Sequence, residues 1–159
     1  KFTVSTLLVA MAAICQANVI TDSKFLSNGI LGENVIMEPL PDKTGEAACL
    51  IFIIGAYCDQ KAYRIFEGHL GKSSIPLWVG IPHIVGDLPI PVGLSVYVNN
   101  VKAELEKKHG YKAEKYFFGG HSLGASSIGS WAHSHTDQVE GVFLWGSYVA
   151  KSVEDPVKN

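Results

Sequence analysis

From Ala48 to Ile54 the chain reads ACLIFII, an unbroken apolar run with no helical stripe. Such a run, bounded by turn residues, suits a strand covered on both faces. Strands are also predicted in SIPLWVGI (74–81), AEKYFF (113–118) and VEGVFLWGSY (139–148). A different period governs Leu94, Val98, Val101 and Leu105, where apolar residues recur at steps of four, three and four. That spacing lines one face of a helix, and Lys107, Lys108 and His109 followed by Gly110 mark its end. Two more helices are predicted, QKAYRIFEGHL (60–70), ending before Gly71, and the Ala- and Ser-rich segment 123–135. Residues 24–40 read as two short strands around a Leu31-Gly32-Glu33-Asn34 turn, and 41–47 as a polar connector. The segment PHIVGDLPIPVG (82–93) carries prolines and no period, so it is a loop. Strands and helices alternate. The pattern predicts an α/β fold, a mostly parallel sheet with helices on both faces.

Composition narrows the picture only a little. The 159 residues suffice for one domain, and 47% hydrophobic against 18% charged residues excludes a disordered chain. Thirteen basic residues against fifteen acidic leave a formal charge of −2, with no basic block to form a nucleic-acid surface. No repeat or low-complexity segment is visible. The first seventeen residues stand apart: Lys1, a continuous apolar run from Leu7 to Cys15, then Cys15-Gln16-Ala17. This charged, apolar, small-residue order predicts a secretory signal peptide over 1–17, a mature chain from near Asn18, and a secreted protein. The run falls short of the roughly 20 residues a membrane span needs, so no stable membrane span is expected. Cys49 and Cys58 flank one extended strand, which holds them too far apart to pair with each other.

The candidate chemistry lies in KYFFGGHSLGASSIG, residues 115–129. Gly120-His121-Ser122-Leu123-Gly124 matches G-x-S-x-G and sits between a predicted strand and a predicted helix. A sharp strand-to-helix turn lifts the serine side chain above the sheet. It also brings the residues two before and two after so close that only glycine-sized residues fit. The N–H of Leu123 then points at the place where an oxyanion would form, with Ser122 as nucleophile. The plainer reading is a glycine-rich turn whose serine caps the helix. A second oxyanion donor is expected after the ACLIFII strand. Gly55 allows a tight bend there, so the Ala56 N–H is the candidate and Tyr57 the next.

GGHSLGA, LIFIIGAY and DQKAYRIF together resemble the α/β-hydrolase superfamily, in particular its serine esterase and lipase-like members, over roughly residues 45–150. The resemblance implies hydrolysis of a small-molecule or lipid carboxylic ester through an acyl-enzyme at Ser122, with no cofactor or metal. Many relatives carry His-Gly where this chain has Ile54-Gly55. The dienelactone-hydrolase branch uses a cysteine where Ser122 stands, which argues against that chemistry. Acyl transfer, thioester or amide hydrolysis by the same serine are the chemical alternatives. A non-catalytic binding protein on the same fold is the alternative of another class.

A serine needs an imidazole to take its proton and an acid to orient that imidazole, in the chain order Ser, acid, His. After Ser122 the only histidines are His133 and His135, and both precede Asp137, Glu140, Glu154 and Asp155. No triad can be drawn. His133 and His135 belong at the far end of a helix, about 15–20 Å from its start. His83 is the one other imidazole on the expected active-site side. The economical expectation is an incomplete hydrolase domain over 18–159, truncated after the sixth strand of that fold, inactive as it stands and poorly soluble. Tyr57, Ile84, Leu88, Ile90, Trp145 and Tyr148 are the candidate pocket residues, since ligands bind beyond the C-terminal ends of such strands.

Overall fold

In the computed structural model, residues 32–113 and 116–148 are described. The proposed leader (1–17), the first of the two short strands before Asn34 and the residues Glu154 and Asp155 lie outside them. From Glu33 onward the described chain belongs to one unit. Its sheet contains β1 (Val35–Met37), β2 (Ala48–Ile53), β3 (Leu77–Ile81), β4 (Tyr116–His121) and β5 (Val139–Trp145). The strand order is β1-β3-β2-β4-β5, with β1 antiparallel to β3 and every other pairing parallel. The apolar run thus became the central strand, buried on both sides: Ile51, Phe52 and Ile53 are fully enclosed.

Alternation along β2 sorts the helices onto the two faces. Ile51 pairs with Gly80 and Phe118, and this face receives α2 (Leu94–His109) and α3 (Leu123–His133). The buried residues of α2 are Leu94, Val98, Val101 and Leu105, the stripe that its sequence period marks. Gly110 ends the helix in the left-handed region at φ 68°, and the Tyr111 N–H reaches back to the Leu105 carbonyl. Trp131 of α3 packs on Phe118, ring centroids 4.9 Å apart. On the opposite face, Phe52 meets Tyr63 at 5.2 Å and Phe66 at 4.9 Å. These come from the segment predicted as a helix over 60–70. It is a 3-10 helix over Gln60–Phe66 with a single α-helical turn, α1 (Glu67–Leu70). Asp59 caps it through a bond from the Lys61 N–H.

Gly80 shows how closely α2 lies on the sheet. A Cβ built there would overlap the Cγ1 of Val101, which is itself fully buried. Gly80→Ala is expected to cost about 1–3 kcal/mol by overpacking. Adding Val101→Ala should return at least about 1 kcal/mol of that loss in a double-mutant cycle read by urea unfolding. Strictly additive losses would show that the two residues do not meet.

Cys49 and Cys58 are both free thiols, as their separation along the strand requires. Burial pushes the Cys49 thiol up to about 12. At the far edge, both faces of β5 are thinly covered: Val142, Phe143 and Trp145 are 44–52% exposed. Among the described residues no helix is long and apolar enough to cross a membrane.

Candidate active site

The chain leaves β2 toward β3 on one side and returns to β4 on the other. The sheet therefore reverses direction between β2 and β4, and a crevice opens beyond the C-terminal ends of those two strands. The turn 55–57 follows one of them and Ser122 the other.

Strand β4 ends at His121 and α3 begins at Leu123, leaving Ser122 alone at the apex, exposed, with φ 52° and ψ −120°. That is a region an L-residue enters only against strain, of about 1–3 kcal/mol. The backbone there is held from both sides. The Ser122 N–H donates to the Trp145 carbonyl at 2.9 Å, and the Ser122 carbonyl accepts from the Ser126 N–H at 3.2 Å. The side chain of Ser122 does not cap the helix. Leu123, half-buried, is the first residue of α3, where an N–H has no intrahelical acceptor.

The two glycines of the motif are required by different neighbours. A Cβ on Gly120 would stand 2.6 Å from the Ala125 nitrogen and from the Gly124 carbonyl carbon, the approach expected from the tight turn. A Cβ on Gly124 would instead strike the end of β2, overlapping the Ile54 carbonyl oxygen and lying 2.6 Å from that of Ile53. Through this contact the start of α3 rests on the strand that leads into the 55–57 turn.

Gly55 is not in the left-handed region; the positive φ of this turn falls on Tyr57, at 58°. The bend expected at Gly55 is thus made two residues later. What excludes a side chain at Gly55 is His121, whose Nδ1 would be 2.7 Å from a Cβ there. The Gly55 N–H donates to the Tyr63 hydroxyl at 2.9 Å, and the Tyr57 N–H to the Asp87 carbonyl at 2.6 Å. The Ala56 N–H, between them, has no partner among the described residues. The Tyr57–Asp87 bond pins the loop from 82 to 93 onto this turn, and Asp87 is itself left-handed at φ 51°. The same loop is fastened to α3 by the buried Ser127 hydroxyl, which donates to the Pro89 carbonyl at 2.7 Å.

The expected pocket residues separate. Tyr57 and Tyr148 are each 76% exposed, and Trp145 lies half open against Phe52 and His121. Leu88 and Ile90 are half-buried in the pinned loop. Ile84 departs from the expectation: it is a core residue, 1% exposed, because the chain turns inward onto the hydrophobic cluster before the loop proper begins.

Three of the described imidazoles, those of His121, His135 and His109, are engaged elsewhere. His121 leaves β4 on the face opposite α3, where its Nδ1 meets the Tyr63 hydroxyl at 2.9 Å. His135 stacks on Trp131, and His109 pairs with Glu38. The His83 backbone N–H bonds the Asn34 side chain. No bond joins any imidazole to the Ser122 hydroxyl among the described residues. Nor do three His, Cys, Asp or Glu side chains converge there to hold a metal ion. An open hollow lined by Cys49, Tyr111 and Phe117 lies at the other end of the strands, away from the serine.

The contact between Tyr63 and His121 has no place in the sequence reading, although it sits beside the turn. Nothing in their spacing, 58 residues apart, announces it.

Comparison with known proteins agrees with this architecture. No curated protein matches the chain. Among solved structures it resembles a fluorophosphonate-binding serine hydrolase of Staphylococcus aureus, at TM-score 0.55 and 15% identity, over 72% of this chain and 52% of that one. It also resembles the juvenile hormone epoxide hydrolase of the silkworm Bombyx mori, at TM-score 0.52 and 17% identity, over 70% and 31%. A mutant of potato epoxide hydrolase matches at TM-score 0.50 and 20% identity, over 74% and 37%. The chain spans about a third to a half of the length of these proteins. The alpha/beta hydrolase family model matches residues 49–158, more than half of the chain, and the chain belongs to that family.

Proposed function

We propose that this chain carries the nucleophile and oxyanion half of a serine hydrolase that cleaves carboxylic esters through an acyl-enzyme at Ser122. The observation that carries the reading is the strained, exposed Ser122 at the apex between β4 and α3, beside the β2–β4 crevice. Strain of this kind persists only where surrounding structure imposes it, and it concentrates at functional sites. Here it serves as a nucleophile elbow. The serine oxygen attacks the ester carbonyl, and the new negative charge falls between the N–H groups of Leu123 and Ala56. The Gly124 contact with the end of β2 keeps those two donors in register.

Proton transfer requires an imidazole oriented by a carboxylate. In this reading both come from outside the described residues, and the described half fixes where they must converge. Fluorophosphonates phosphonylate an activated serine, and the intact protein is the material to test. Labelling is expected in the wild type and absent in Ser122→Ala. Labelling that persists in that variant would assign the reaction to another residue, and an unlabelled wild type would favour the non-catalytic alternative.

A further inference from the structure

The Ala56 N–H belongs to the peptide that follows Gly55, so its direction depends on the two backbone dihedrals of that glycine. Glycine has the least restricted dihedrals of any residue. A side chain cannot stiffen the position, because His121 occupies the space a Cβ would need. The turn would therefore be loosest where an oxyanion donor must be most accurately aimed. The peptide after the glycine is held from within the turn, its Gly55 carbonyl accepting from the Cys58 N–H at 3.2 Å, while the peptide before it, which sets where the turn starts, is held from outside. The Gly55 N–H is held by the hydroxyl of Tyr63, which is 5% exposed and whose ring lies against Phe52.

The hydroxyl has one proton and two lone pairs. Gly55 uses a lone pair. Burial pushes the hydroxyl up to about 12, so the proton stays. Two acceptors compete for it: Nδ1 of His121 at 2.9 Å, and the Cys58 thiol close by. An imidazole lone pair accepts far better than sulfur, and Cys58 directs its own S–H toward the Ala56 carbonyl at 3.6 Å. With the Tyr63 proton directed at Nδ1, His121 carries its own ring proton on Nε2. His121 is also the residue before Ser122. A continuous chain of two hydrogen bonds therefore runs from the β2 turn to the last residue of β4.

We propose that Tyr63 is a positioning residue of this site: braced by His121, its hydroxyl orients the 55–57 turn toward Ser122. The inference rests on the reading of Ser122 as a nucleophile and Ala56 as an oxyanion donor.

The experiment measures fluorophosphonate labelling of the intact protein as a function of reagent concentration. Tyr63→Phe keeps the ring and removes the hydroxyl. Its limiting labelling rate is expected to fall about tenfold, the value of one ordinary hydrogen bond, while the half-saturating concentration stays in place. His121→Gln, whose side-chain oxygen can still accept from Tyr63, is expected to label faster than His121→Leu. The double variant Tyr63→Phe/His121→Leu should be no slower than either single one, because both break one chain. Should Tyr63→Phe fail to fold, the Gln and Leu pair carries the test. A folded Tyr63→Phe that labels at the wild-type rate overturns the brace, as does equal labelling of the Gln and Leu variants. Either result leaves the Ser122 assignment standing if Ser122→Ala is still silent. An unlabelled wild type, or a labelled Ser122→Ala, overturns that assignment and this inference with it.

Discussion

Ser122→Gly is expected to raise the stability of the fold while ending its reaction with a fluorophosphonate. The backbone at Ser122, φ 52° and ψ −120°, is comfortable for glycine and strained for any residue with a Cβ. Relief of that strain is worth about 1–3 kcal/mol. Glycine gives back roughly 0.5–1 kcal/mol through the greater freedom of the unfolded chain. The net gain should be up to about 2.5 kcal/mol, as much as several degrees in the midpoint of thermal unfolding for a domain of this size. Ser122→Ala is the control. It loses the hydroxyl but keeps the Cβ, so its labelling should vanish with the midpoint almost unchanged. Stability exchanged for activity at one residue is the mark of a functional strain. If the glycine variant proves no more stable than the alanine one, the strain argument for this serine fails.

Gly124→Ala should have the largest effect on folding. Inside a helix, replacing glycine by alanine ordinarily gains up to about 1 kcal/mol. Here the added methyl would drive into the Ile53 and Ile54 carbonyls, which belong to the end of the central strand. Backbone at the middle of a sheet cannot step aside as a side-chain tip can. The clash wins, and the expected loss is about 3 kcal/mol or more. Gly129, one and a half turns further along the same helix, provides the comparison. A Cβ there would meet only the Leu144 side chain at 3.7 Å, an ordinary contact, so Gly129→Ala should be neutral or stabilising. Urea unfolding of the two variants reads the difference directly. A Gly124→Ala protein as stable as the Gly129 one would mean that α3 does not rest on β2.

Periodicity carried most of the architecture. The stripe of Leu94, Val98, Val101 and Leu105 specified both the helix and its buried face, because residues at those steps must share one side of a helix. The continuous run in β2 called for cover on two faces and received it. The strand–turn–helix setting around Ser122 was equally plain, since its local signals agree. The 3-10 winding over Gln60–Phe66 was not. Helical and 3-10 winding share nearly the same local preferences, and the choice here accompanies the contacts of Tyr63 and Phe66 with Phe52. Ile84 was misplaced for a related reason. An isoleucine in a proline-rich loop serves a pocket or a core equally well until the path of the loop is known.

The sequence by itself determined the α/β class, the order of elements, the helix stripe and the serine between two glycines. All of these depend on residues a few positions apart, where chain geometry alone decides who is neighbour to whom. Only the tertiary structure decided which glycine answers to which contact. Gly120 makes room for the turn, Gly124 for the end of β2, and Gly55 for a histidine 66 positions away. It alone also joined Tyr63 to His121 and Gly55. Such contacts arise when strands distant in the chain are brought side by side, and no spacing along the chain records which side chains will then share a face.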